Sequence, residues 1–208
     1  MKTNPYEHAP RLPEGERIDP RALVGAGAAP IEIEIGPGRG GFVFERLAAD
    51  PDVFLLGLEI RRKWATIVDN RIAERGLKTR ARVLAEDARS AFPRFPDACA
   101  RAVFVHFPDP WWKKRHAKRL VVTSDLLPQL CRVLVPGGAL FIQTDVADRA
   151  AEYAALIATE PRLVPQHAGF EAENPYHARS PREHRAIADG LPIYRLHYRL
   201  TDPAPHPG

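Results

Sequence analysis

The sequence predicts an α/β fold, in which helices cover a doubly wound, mostly parallel sheet of seven strands with an antiparallel edge strand. Three observations support this prediction. Apolar segments of strand length alternate with helical patterns along most of the chain. A glycine-rich turn joins the first strand to the first helix, and acidic residues stand where successive strands end. Ligands of such sheets bind outside the carboxyl ends of the strands, so we expect function there.

The first half of the chain supplies four of the predicted strands. They are expected at 31–35, 53–59, 79–87 and 101–107. Helices are expected at 41–50 and from about Arg61 to Arg75, where Gly76 provides a stop signal. Because each of these helices lies between two strands, the strands are expected to run parallel.

The second half continues the alternation after a basic segment. Thr123 or Ser124 can cap a helix that reaches Leu134, and Pro128 then falls in or just past the first turn, where its missing N–H costs least. The remaining predicted elements are a turn at 136–138, a strand at 139–145, a helix at 147–160 and weaker strands near 162–167 and 193–200. The polar segment between the last two strands is expected to be irregular.

The 208 residues are expected to form one domain, since single domains typically span ~100–200 residues. We assign residues 31–201 to it. The proline-rich residues 1–30 are expected to form an irregular N-terminal segment, and residues 202–208 a flexible tail. A net charge of +4 and a pI near 9.3 are a modest basic excess, which fits a polyanionic partner.

The two cysteines, Cys99 and Cys131, have neither CxxC spacing nor a histidine at metal-ligand spacing. We interpret them as reduced, buried thiols of a cytoplasmic protein, and no metal is expected. The sequence has no secretory signal and no apolar run of about 18 residues, so no contact with a membrane is expected.

The stretch EIGPGRGG (34–41) joins the first strand to the first helix. Its glycines, Gly36, Gly38 and Gly40, allow a sharp turn and a close approach of the backbone to a ligand. By itself the spacing also fits a dinucleotide fingerprint or a tight turn that binds nothing.

Three acids at strand ends favour one cofactor over another. Glu59 stands where a ribose-binding acid is expected, and Asp87 can accept a hydrogen bond from an adenine amine. Glu34 would repel the pyrophosphate of a nicotinamide dinucleotide. A sulfonium cofactor with an amino group is cationic and carries no phosphate, so the acids favour S-adenosylmethionine.

The most unusual stretch is HFPDPWWKKRHAKRL (106–120), where Asp109 is held between two prolines. A cationic run follows it, and we expect it to contact nucleic-acid phosphates. Its members are Lys113, Lys114, Arg115, Lys118 and Arg119. Trp111 or Trp112 could stack on a base, although core packing is an equal alternative for Trp111.

These stretches together resemble the bacterial tRNA (guanine-N7)-methyltransferases, a family of class I S-adenosylmethionine-dependent methyltransferases. The resemblance spans about Ile31 to Leu200. It is carried by EIGPGRG, GLEI (57–60), EDA (86–88), PGG (136–138), TDV (144–146), SPREHR (180–185) and, above all, FPDPWWKKRHAKR (107–119). It implies a Rossmann-like class I methyltransferase fold and methyl transfer from S-adenosylmethionine to N7 of the variable-loop guanine of tRNA.

The resemblance also implies roles for individual residues. The implied cofactor-binding residues are Glu34, Gly36, Gly38, Gly40, Glu59, Asp87 and Asp109, and Asp109 also matches the catalytic position. The implied substrate-binding residues are Lys113, Asp145, Ser180 and Glu183, with Ser180 replacing a threonine. The chain departs from the family pattern at Trp112, where histidine is usual, at Ala117 and at Leu120.

Three alternatives remain open beside this interpretation. A methyltransferase of the same fold could act on another RNA, a protein or a small molecule. A tRNA-binding module without activity is disfavoured by the acids, and a nicotinamide oxidoreductase by Glu34 and the lack of a hydride-transfer acid–base pair. The sequence is compatible with a monomer or a homodimer.

Overall fold

The computed structural model describes residues 5–108 and 121–201, and a seven-stranded sheet lies at the centre of this part of the chain. Its strands are β1 (Ile31–Ile35), β2 (Leu55–Leu58), β3 (Ala81–Leu84), β4 (Ala100–His106), β5 (Leu134–Thr144), β6 (Leu163–Pro165) and β7 (Tyr194–Leu200). Their order across the sheet is β3-β2-β1-β4-β5-β7-β6. Strands β1 to β5 pair in parallel, whereas β7 runs antiparallel to β5 and to the edge strand β6. The predicted mostly parallel sheet with an antiparallel pairing at its edge is confirmed.

Helices cover both faces of the sheet. They are α1 (Pro20–Leu23), α2 (Gly41–Ala49), α3 (Arg62–Glu74), α4 (Ala88–Ala91), α5 (Leu127–Val133), α6 (Ala147–Ile157) and α7 (Pro181–Ala188), with a 3₁₀ turn at Phe92–Arg94. The predicted helices at 41–50, 61–75 and 147–160 are thus confirmed to within a few residues. In the described ranges, no helix has both the length and the apolar character needed to cross a membrane.

Successive side chains of β1 point to opposite faces of the sheet, and the core forms one layer on each face. Ile31 and Ile33 pack with residues of α5 and α6, and neither side chain has exposed surface. Burial of each stabilises the fold by about 1.5–3 kcal/mol. Glu32 and Glu34 point to the opposite face, where Phe42 of α2 and other apolar side chains of α2 and α3 form the second layer. A strand of the form IEIEI therefore places two carboxylates inside the protein.

The segment between β6 and β7 was predicted to be irregular, and this prediction is wrong because the segment contains helix α7. The Ser180 hydroxyl accepts a hydrogen bond from the backbone N–H of Glu183 at 3.2 Å, and Pro181 occupies the first turn. This S-x-x-E pattern is the capping-box signature, so the sequence did carry a signal for the start of this helix.

The second half differs from the prediction in two further details. Strand β5 begins at Leu134, so that the expected turn at 136–138 is an irregularity within a strand. Gly137 has a φ of 76°, and the register with β4 shifts opposite this point. Helix α5 begins at Leu127, later than expected, and Pro128 lies in its first turn as predicted.

The N-terminal segment packs on the domain although it contains only the one-turn helix α1 among residues 5–30. Leu12, Ile18 and Val24 are buried in the same layer as the isoleucines of β1. The backbone N–H of Ala85, just past β3, donates to the carbonyl of Pro10 at 2.6 Å. The segment therefore lies against the edge of the sheet at which β3 ends.

Candidate active site

A cavity of about 620 Å³ opens at the carboxyl ends of the parallel strands. Strands β1, β2 and β4 reach it at Ile35, Leu58 and His106, and its wall continues through Glu59 and Asp87. Sheets of this topology bind ligands at this edge. The cavity also has the size of a small-molecule site, for which about 300–1,000 Å³ is typical.

The glycine turn between β1 and α2 forms one side of this edge. Gly36, Gly38 and Gly40 all have left-handed φ values, of 74°, 54° and 74°. At Gly40 a side chain is excluded on packing grounds as well, because a Cβ would lie 2.5 Å from Cγ1 of Val68. Glycine is thus required both for the path of the turn and for the contact between the turn and α3.

Glu59, the acid after β2, stabilises this turn by hydrogen bonds. Its Oε2 accepts a hydrogen bond from the N–H of Gly38 at 2.9 Å, and its Oε1 accepts from the N–H and Nε of Arg61 at 2.9 and 3.1 Å. The residue is buried and its carboxylate lines the cavity edge between the two loops. An oxygen that accepts one hydrogen bond retains a second lone pair, so Glu59 can still accept from a ligand.

Glu34 makes one hydrogen bond among the described residues. Its Oε1 lies 2.9 Å from Nδ1 of His106, and both side chains are 2% exposed. The rings of Phe42 and Phe104 pack around the histidine, with centroid distances of 4.2 and 5.7 Å. Oε2 of Glu34 and Nε2 of His106 are buried and have no hydrogen-bond partner in the part of the chain that the structure describes.

Asp87, the acid after β3, lines the cavity and caps α4. Its carboxylate accepts from the N–H of Arg89 at 3.0 Å and from the Arg89 guanidinium at 2.6 to 3.1 Å. The hydrogen bonds from the Arg89 side chain hold the pKa of the Asp87 carboxyl below its usual value, against the opposing effect of its burial. The group is therefore an anionic acceptor at neutral pH.

Asp145, Ser180 and Glu183 form a second group around α7. Asp145 follows β5 and forms an ion pair with Arg182 of α7. Glu183 has no exposed surface, and its oxygens accept from Arg195 at 2.9 Å and from Asn174 at 2.9 Å. A Cβ on Gly41 would lie 2.4 Å from Pro181, which shows that α7 begins against the start of α2. The structure thus brings this group to the side of the glycine turn.

The predicted residues of the basic stretch lie outside the described residues. They are Asp109, Trp111, Trp112, Lys113, Lys114, Arg115, Lys118 and Arg119. The described residues on either side, Pro108 and Val121, both line the cavity. Phe107, next to Pro108, has a φ of 46°, and its N–H donates to the carbonyl of Gln143 at 2.8 Å.

Arg61 lines the cavity, and further cations lie on α3 and beside the ends of α2 and α3. Two half-buried rings, Trp64 and Phe44, support these cations. Arg39 and Lys63 lie over Trp64, and Arg71 and Arg75 lie over Phe44, with distances of 4.2 to 5.3 Å to the ring centroids. These four cations, which we call the ring-supported surface, form no ion pair with any carboxylate of the described residues.

Sequence reasoning missed His106 as a functional candidate, because no second ligand or partner stands near it in the chain. Its partner Glu34 is 72 residues away. The signal that could have found it is its place at the carboxyl end of a parallel strand, β4, which pairs with β1. Among the residues described, no group of three or more His, Cys, Asp or Glu side chains is arranged to hold a metal ion.

Solved methyltransferase structures share this fold. The "Structure of an antibiotic related Methyltransferase" matches with a TM-score of 0.62 at 15% identity, covering 86% of this chain and 92% of that one. The aminoglycoside resistance methyltransferase NpmB1 matches with a TM-score of 0.55 at 19% identity, covering 83% and 87%. The chain therefore has the fold of the class I methyltransferases.

Sequence comparison narrows this class to a family. Residues 28–196 match the family model described as "Putative methyltransferase". The tRNA (guanine-N(7)-)-methyltransferase of Myxococcus xanthus (strain DK1622) is 38% identical over 180 residues, covering 85% of each chain. That of Anaeromyxobacter dehalogenans (strain 2CP-C) is 40% identical over 182 residues, covering 86% of this chain and 89% of that protein. The chain belongs to the tRNA (guanine-N(7)-)-methyltransferase family, as its motifs predict.

Proposed function

We propose that this protein transfers a methyl group from S-adenosylmethionine to N7 of the variable-loop guanine of tRNA. The observation that carries the proposal is the arrangement of three carboxylates around one strand-end cavity. Glu59 and Asp87 line it, and Glu34 is hydrogen-bonded to His106, which also lines it. Family membership supplies the acceptor class.

The residues present fit S-adenosylmethionine. The cofactor carries a sulfonium and an ammonium and no phosphate, so an acidic site suits it. Glu59 would accept from the ribose hydroxyls and Asp87 from the adenine amine, while Glu34 has a free buried oxygen for a cationic donor. Gly36 lines the cavity without a side chain, and the left-handed turn through Gly36, Gly38 and Gly40 allows the backbone to approach the ligand there.

The chemistry requires orientation more than proton transfer. Bound in the cavity, S-adenosylmethionine supplies an electrophilic methyl group on a sulfonium. N7 of guanine has an in-plane lone pair and carries no proton, so no general base is needed. We assign Asp109 to orienting the base and the cofactor, because the two flanking prolines restrict its backbone. A carboxylate there also favours the positive charge that the guanine acquires.

Recognition of guanine is assigned to the group around α7. Asp145 is the candidate to accept hydrogen bonds from the N1–H and the amine of the base, since its side chain and that of its ion-pair partner Arg182 are both partly exposed. The contacts of Glu183 with Arg195 and Asn174 favour a supporting role, in which it fixes α7, and Ser180 caps the same helix. Lys113 is assigned to substrate contact by family resemblance.

Two cationic regions would bind the tRNA backbone. One is the run of Lys114, Arg115, Lys118 and Arg119. The other is the ring-supported surface, whose guanidinium groups rest on aromatic faces. Arg71 Nη1 donates to the carbonyl of Arg39, and the other N–H groups of these arginines could donate to phosphates. Phosphate contacts set affinity and register largely without regard to sequence, so specificity is left to the pocket.

The test is methyl transfer from labelled S-adenosylmethionine to two unmodified tRNA transcripts that differ only in guanine or adenine at the variable-loop position. Label on the guanine transcript alone supports the proposal. Equal label on both would keep the methyltransferase and reject the target. No label on either, with the cofactor bound, would reject tRNA methylation in favour of another substrate or an inactive binder.

A further inference from the structure

Buried polar atoms without partners are concentrated at one edge of the sheet. Within the described ranges these atoms are Glu34 Oε2, His106 Nε2, Thr123 Oγ1 and both amide atoms of Gln143. Glu34, His106 and Gln143 occupy the ends of the adjacent strands β1, β4 and β5, and His106 is the register partner of Gln143. Buried polar atoms normally have partners, because an unpaired one has lost its hydrogen bonds to water without a replacement. His106 lines the cavity and is joined to Glu34 by a hydrogen bond and to Gln143 by strand pairing, so these unpaired atoms point to a ligand at this edge.

The contact between Glu34 and His106 fixes the tautomer of the histidine and the orientation of the carboxylate. An ionised carboxylate only accepts hydrogen bonds, so the 2.9 Å contact requires the proton on Nδ1 of the histidine. The imidazole is held in turn by the ring of Phe42 at 4.2 Å and by Phe141 at 6.2 Å. One oxygen of Glu34 is thus tied to a rigid ring, which fixes the direction in which the other oxygen points.

The free oxygen of Glu34 is a buried anionic acceptor, so its best partner is a cationic group that carries only donors. Among the polar groups of S-adenosylmethionine the α-ammonium has this character. The ribose hydroxyls both donate and accept, the carboxylate only accepts, and the adenine amine is neutral.

We propose that His106 is a positioning residue, which orients Glu34 so that its second oxygen receives the α-ammonium of the cofactor. The inference rests on the proposed function, because it takes S-adenosylmethionine as the ligand. It assigns to His106 no contact with the methyl group and no proton transfer. Its consequence is specific, since only ligands that carry the amino-acid part should sense a change at residue 106.

Two conservative variants separate positioning from other roles. In His106→Asn the side-chain amide can place an N–H near the former Nδ1 and so retain the bond to Glu34. In His106→Gln the amide reaches the former Nε2 position and the bond to Glu34 is lost. Phe141→Leu is the packing control, because it loosens the ring cluster around the histidine and leaves the polar pair intact.

The experiment is calorimetric titration of each variant with S-adenosylhomocysteine and with 5′-methylthioadenosine, which has the same nucleoside and no amino acid. We expect His106→Gln to weaken S-adenosylhomocysteine binding about tenfold and His106→Asn to weaken it less than about threefold. Binding of 5′-methylthioadenosine should stay within about twofold in both. Phe141→Leu should lower the melting temperature without changing the ratio of the two affinities.

Other outcomes overturn the inference. Equal losses for both ligands would make His106 a structural residue. Equal losses of S-adenosylhomocysteine affinity in both variants would mean that the ring, and not its bond to Glu34, contacts the ligand. If the unaltered protein binds neither nucleoside, the proposed function fails first and the inference falls with it.

Discussion

Glu32 and Glu34 lie two residues apart on the same strand and face the same layer of the core, yet their surroundings differ. Glu32, near the amino end, accepts from Arg46 at 2.8 and 2.9 Å and from Arg101 at 3.1 Å. Glu34, at the carboxyl end, has His106 as its only partner among the described residues. Both carboxylates are buried. Burial alone therefore does not distinguish the two acids, whereas their unfilled hydrogen-bonding capacity does, and this difference supports the proposed role of Glu34.

The same contrast extends to the cavities at the two edges of the sheet. The smaller one, of about 290 Å³, lies at the amino end and is lined by Glu32, Arg46, Asp50 and Arg101, which pair with one another. The larger one, at the carboxyl end, is lined by His106, and within the described ranges both His106 Nε2 and Oε2 of its partner Glu34 lack a hydrogen-bond partner. Complete pairing indicates a structural network, and we expect substitutions at the two edges to affect different measurements.

The largest effect is expected at the carboxyl edge, from Asp109→Ala. Turnover with unmodified tRNA should fall by at least about 100-fold, because the oriented carboxylate is lost. The free energy of unfolding should change by less than about 0.5 kcal/mol, because the role assigned to Asp109 is in the chemistry. Single-turnover methyl transfer and urea unfolding measure the two quantities. Substantial residual turnover would refute the assignment of Asp109.

A smaller effect is expected on the ring-supported surface. The double variant Arg71→Gln/Arg75→Gln should weaken tRNA binding and make the plot of log K against log salt shallower by about 1.5–2, if each arginine neutralises one phosphate. Arg199→Gln is the control, because Arg199 lies at the amino edge, where it donates to the carbonyl of Gly137. Equal slopes for the two variants would show that the ring-supported surface does not contact tRNA.

The smallest effect is expected for the two thiols, whose reactivity in the folded protein reports how tightly the core is packed around them. Cys99 lies directly before β4, Cys131 lies on α5, and both are buried and free. Burial raises the pKa of each thiol to about 11, so little thiolate exists at pH 8. We expect a disulfide reagent to label the folded protein far more slowly than the protein in guanidinium chloride. Fast labelling of the folded protein would contradict the packing around these residues.

The sheet could be predicted from the sequence because its signals are local. The apolar runs, the helix stop at Gly76 and the proline in α5 all act within a few residues. The difference between Glu32 and Glu34 could not be predicted, because Arg46, Arg101 and His106 come from 14, 69 and 72 residues away. The capping box of α7 was a local signal that the polar composition of its segment obscured.

The most direct test of the contrast between the two edges is a paired measurement on Glu32→Gln and Glu34→Gln, combining urea unfolding with calorimetric binding of S-adenosylhomocysteine. Glu32→Gln should lose about 3 kcal/mol of stability, because two arginines lose their buried partner. Its affinity should stay within about twofold of the unaltered protein. Glu34→Gln should instead lose at least about tenfold in affinity with a smaller change in stability. Parallel losses in both variants would contradict the division into a structural and a ligand-binding edge.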